Sequence, residues 1–111
     1  MKTRIPDWAV SAVEELQAGR KVQVRPRGYS MQGRINDGDL VVLEPVQIGE
    51  LCVGDVVLAR VRGRRYFHLV LHQIVERKAG QFLIGSSAGR SDGWVDTYDV
   101  FGRVVDIHSS S

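Results

Sequence analysis

Only one stretch of this chain carries a helical period. Residues Asp7–Ala18 place Ala9, Ala12, Val13 and Leu16 at i, i+3, i+4 and i+7, with Trp8 beside the stripe. Asp7, after Pro6, is placed to cap the first turn. Gly19 followed by Arg20 and Lys21 supplies a stop with cations at the negative end of the dipole. Everything after Gly19 reads as short β runs: Val22–Val24, Leu40–Leu43, Val56–Val61, Tyr66–Val75, Gln81–Ile84 and Val100–Ile107. Turn-forming residues separate them, as at Asn36-Asp37-Gly38-Asp39, Gly54-Asp55, Arg62-Gly63-Arg64 and Ala79-Gly80. Arg62-Gly63-Arg64 reads as the tip of a hairpin between Val56–Val61 and Arg65–Val75. The pattern predicts a mostly β domain with one N-terminal helix. A single helix is too little for a helix-turn-helix reader of DNA, so no DNA-binding head is expected.

Composition narrows the class. The chain has 111 residues, 43% hydrophobic and 25% charged, which suits one globular domain over residues 1–111, with 20–107 as its β core and 108–111 as a tail. Cys52 is alone, so a disulfide framework and a thiolate zinc cluster are both ruled out. A lone cysteine fits a reducing compartment, and a cytoplasmic location is the expectation. The apolar runs Leu40–Leu43 and Val56–Ala59 are far short of the ~20 residues that span a bilayer, so no membrane span is expected. The net charge of +2 names no nucleic-acid partner by itself, although Arg20–Arg34 and Arg60–Arg65 are locally basic. Such clusters ordinarily mark solvated strand edges and hairpin tips.

The nucleotide-cradling loops Gly-x-Gly-x-x-Gly and Gly-x-x-x-x-Gly-Lys-Ser/Thr do not occur, and no cofactor is expected. His68, His72 and His108 lack partners at zinc-ligand spacing. What remains is the segment Gly28–Asp39, which presents Ser30 on a loop between two strands. A serine hydroxyl needs a base to take its proton. His72 is a candidate: alternation puts His68, Val70, His72 and Ile74 on one strand face, and a free imidazole, with a pKa of about 6.5, is largely neutral at cytosolic pH. Asp92, expected in a loop spanning Gly85–Gly93, could hold the ring. Taken singly, each residue also has an ordinary structural role in a turn or strand. Such triads are recognised by geometry rather than by sequence order.

Several segments, in order, resemble the signal peptidase and LexA-like serine peptidases. Ser30-Met31, Gly33 where a proline is usual, Ile35 and Gly38-Asp39 are similar to that family's Ser-Met-x-Pro-x-Ile-x-x-Gly-Asp box. Val53-Gly54-Asp55-Val56-Val57 is similar to its second box, and Leu71-His72-Gln73-Ile74-Val75 to the His-Arg-Val-Val strand of its Ser/His branch. Phe82-Leu83-Ile84-Gly85 with Asp92, and Val100-Phe101-Gly102-Arg103-Val104-Val105, are similar to its closing pieces. The resemblance implies a coiled, partly open antiparallel β-barrel with the helix laid across it. It implies a serine endopeptidase in which Ser30 is the nucleophile, His72 the base and Asp92 an orienting acid. Gly28, Tyr29 and Met31 would flank a peptide bound as an added strand, and Gly38 and Asp39 would shape the turn. No Lys lies in Tyr66–Val75, which rules out a Ser/Lys dyad. Gly33, Gln73 in place of Arg, and Gly85-Ser86-Ser87-Ala88 in place of Gly-Asp-Asn-Asn depart from the pattern. They motivate the alternative of a catalytically silent module that binds a peptide or protein. A chain of this length has room for such a fold and little else.

Overall fold

The α-helix α1 spans Asp7–Gln17 and turns Ala9, Ala12 and Leu16 into the core, as the periodicity predicts. It ends in a Schellman motif: the Arg20 N–H donates to the Glu15 carbonyl and the Gly19 N–H to that of Leu16, both at 3.0 Å. A computed structural model describes residues 7–28 and 31–109. Tyr29 and Ser30 lie outside the described residues, as do residues 1–6, 110 and 111 and the side chains of Asp7 and Ile48, so the Asp7 cap is outside as well.

Seven strands follow: β1 (Val22–Val24), β2 (Leu40–Pro45), β3 (Val56–Arg62), β4 (Phe67–Lys78), β5 (Gln81–Gly85), β6 (Ser91–Asp96) and β7 (Val100–His108). They form one antiparallel sheet in the order β1-β2-β7-β3-β4-β5-β6. The sheet is open, with β1 and β6 at its edges, and it bends so that β6 packs back on β3. Alternation along the strands feeds two apolar clusters. Leu58 and Leu71 join α1, Val24, Met31 and Ile35 in one. Val57, Ala59 and Ile74 join Phe82, Ile84 and Val95 in the other.

Three expectations are corrected. Asp92 is not in a loop, because residues 91–96 form β6; two aspartates and a glycine in six residues conceal that edge strand from propensity. The β4 strand continues past Val75 through Glu76, Arg77 and Lys78, the solvated arm of a hairpin, while Arg62 belongs to β3 and the turn covers residues 63–66. His108 ends β7 rather than beginning a tail.

The β4–β5 turn sets Ala79 at φ 47° and Gly80 at φ 81° between the paired residues Lys78 and Gln81. Both signs are those of a two-residue type I′ hairpin, which favours Asn-Gly. Ala79→Asn is therefore expected to raise stability by about 0.5–1 kcal/mol; urea unfolding with an unchanged slope is the check.

Candidate functional site

His72 lies near the middle of β4, opposite Val57 of β3, and is 9% exposed. Its Nδ1 lies 2.5 Å from Asp92 Oδ2, across 20 residues of sequence. This contact depends on two β-bulges. On β6 the pairing passes from Ile84↔Gly93 to Gly85↔Ser91, so Asp92 is the extra residue. On β4 it passes from Ile74↔Ile84 to Glu76↔Leu83, so Val75 is the extra one. A bulge re-aims the side chain it carries, and here the strand between the two bulges is drawn very close. A Cβ on Gly85 would stand 2.8 Å from Val75 Cγ2 and 3.0 Å from the Arg90 carbonyl oxygen. A side chain at that position would push on Val75 and on the Arg90 carbonyl, which immediately precedes β6.

A cleft of about 540 Å³ opens beside His72, walled by Trp8, Pro26, Gly28, Met31 and Leu69–His72. Gly28 and Met31 bracket Ser30 in sequence, so the described ends of its loop stand in the same cleft as the imidazole. Met31 is also 3% exposed, and its carbonyl accepts the Ile35 N–H at 2.7 Å, which anchors the helical turn after Ser30 in the core. The loop is held at its other end too. Asp37 Oδ1 accepts the Gly28 N–H at 2.8 Å, and the buried Asp39 carboxylate accepts the Asn36 N–H at 2.9 Å. Gly38 and Asp39 thus shape the turn.

The segment where the family pattern was altered braces this loop. Gln73 Oε1 accepts from Arg34 Nη1 at 2.9 Å, and its Nε2 donates to the Ser86 carbonyl at 3.4 Å. Ser87 Oγ donates to the Gln32 carbonyl at 3.2 Å. Arg34, Gln73, Ser86 and Ser87 therefore position the loop against β4 and β5. In the sequence, Gln73 and residues 85–88 stand out only as departures from the family pattern, and their polar side chains beside strand ends are the one signal of this bracing.

β4 also offers backbone. Its residues Phe67–Gln73 pair with β3 and Gln73–Lys78 with β5, so among the described residues the second edge of Phe67–His72 has no strand beside it. Unpaired N–H and C=O groups along such an edge can take an added strand. With Nδ1–H donating to a carboxylate, the ring is fixed in the tautomer whose Nε2 is the basic nitrogen. Among the described residues no group of His, Cys, Asp and Glu could hold a metal ion, and no helix is long and apolar enough to cross a membrane. No family model matches the chain, and no curated protein matches its sequence.

Proposed function

We propose that the chain is a serine endopeptidase-like protein of the signal peptidase and LexA-like class, its sheet the coiled, partly open barrel of that class. Ser30 is the nucleophile, His72 the base and Asp92 the group that orients the ring. The observation that carries the reading is the His72–Asp92 pair, whose imidazole lines a cleft that also includes Gly28 and Met31, the residues on either side of Tyr29 and Ser30. Supporting it, the open edge of β4 runs into that cleft and suits a peptide bound in extended form. Ser30 Oγ would attack the peptide carbonyl while its proton passes to His72 Nε2 and then to the leaving amine.

A serine-reactive fluorophosphonate tests this. Labelling of the native chain that is absent in Ser30→Ala is the expected result, and no labelling of native protein between about pH 6 and 9 overturns it. One observation favours the second reading, a silent peptide-binding module: Gly33 stands at φ 96°, a value proline cannot take, so the turn after Ser30 is not built as the family's proline builds it. On that reading peptides bind while the phosphonate finds no nucleophile.

A further inference from the structure

The cleft beside His72 does not end at the imidazole. Leu69 lines both that cleft and a second recess of about 310 Å³, formed with Val13, Arg60, Phe67, His68 and Phe101. His68 lines the second recess and a third, of about 260 Å³, formed with Arg64, Arg65 and Tyr66 at the β3–β4 turn. Sharing Leu69 and His68, the three succeed one another along the length of β4 from His72 to the hairpin tip, the second lying over the sheet face where α1, β3 and β7 meet β4. At about 3.3 Å per residue that path is roughly 20 Å long.

Its far end is basic. Arg62, Arg64 and Arg65 are exposed, and among the described residues none meets an acidic side chain. Arg60 differs, being paired with Asp99 at 2.9 Å. The tip is held in shape: the Gly63 N–H donates to the Tyr66 carbonyl at 2.7 Å, Tyr66 stands edge-on to His68, and the Arg62 guanidinium lies 5.3 Å from the Phe67 ring centroid. Planar guanidinium groups match carboxylates, and that of Arg62 is held against a ring. A long polyanion is a poorer match. Of the arginines in the other basic stretch, Arg20 pairs with Glu15, Arg27 with Asp37, and Arg25 and Arg34 donate to backbone carbonyls. The basic surface at the tip is therefore short.

We infer that the peptide taken by this cleft carries acidic side chains about six residues from the bond facing His72, where they meet Arg62, Arg64 and Arg65. This rests on the reading that an extended peptide lies along β4. The test uses fluorescein-labelled peptides of about fifteen residues, apolar and uncharged in one half and bearing four glutamates in the other, in both orders, with lysine counterparts and a single-stranded oligothymidine. Binding is followed by fluorescence anisotropy. One glutamate order is expected to bind at least tenfold more tightly than either lysine peptide. That preference weakens with added salt and is lost in Arg64→Glu/Arg65→Glu, whose exposed positions leave the fold intact by circular dichroism. Equal binding of glutamate and lysine peptides, indifference to the charge reversal, or tighter binding of the oligothymidine overturns the inference. Phosphonate labelling of the same variants separates the two proposals. Labelling without acidic preference removes only the peptide class, and acidic preference without labelling removes only the catalysis.

Discussion

If Ser30, His72 and Asp92 act as proposed, Asp92→Asn is expected to lower the rate of phosphonate labelling by about 10⁴-fold, and His72→Ala at least as far. The expectation follows from tautomer control. A carboxylate 2.5 Å from Nδ1 favours the ring proton on Nδ1, and in the proposed mechanism Nε2 would then accept the Ser30 proton. An asparagine of the same shape presents an amide that can donate to Nδ1, which favours the opposite tautomer and leaves no base toward the cleft. The neighbours of Asp92 on β6 are Gly93 and the exposed Ser91, and neither carries a carboxylate that could substitute for it. Both groups are largely buried, so each variant is also expected to lose about 1–3 kcal/mol of stability. Labelling rates are therefore compared well below each variant's unfolding midpoint. A loss smaller than about tenfold in Asp92→Asn would mean that the pair is a structural contact and not part of the chemistry.

What made the fold legible was local. The α1 stripe and its Gly19 stop are written within a dozen residues, β3 and β7 are dense in β-branched side chains, and β4 alternates. The insertion of β7 between β2 and β3 was not legible, since pairings such as Leu58↔Gly102 join distant parts of the chain. The candidate site divides the same way. His72 could be placed on a strand face by counting in twos, and Asp92 could be named as a possible partner. The contact between them depends on two bulges and on the space at Gly85, and none of these has a period. Asp and Gly are poor strand formers, so propensity places Asp92 in a loop, whereas a bulged edge accommodates both. The bracing by Gln73 and Ser87 was hidden for another reason: side chains that reach across elements leave no local pattern.

Phe82→Ala is expected to cost about 3–5 kcal/mol, the largest stability effect of any single truncation proposed for this chain. Phe82 is fully buried on β5, the strand between the one that bears His72 and the one that bears Asp92. It packs with Ile74, Ile84 and Val95 in the second apolar cluster, and the Arg77 guanidinium lies 5.9 Å from its ring centroid while donating to the Leu51 carbonyl. Truncation leaves a void within that cluster that its neighbours can close only in part, so the cavity adds to the lost transfer energy. At roughly 4 °C per kcal/mol for a chain of this size, the midpoint falls by about 12–20 °C. The folded fraction is expected to keep its phosphonate labelling, because the aim of Asp92 is set by the bulges around Gly85 and not by the ring beneath β5. A midpoint shift under about 5 °C would show that the second cluster can collapse around the loss. Labelling that disappears while the variant is still folded would show instead that the His72–Asp92 contact is held from below, by core packing, rather than along the strands.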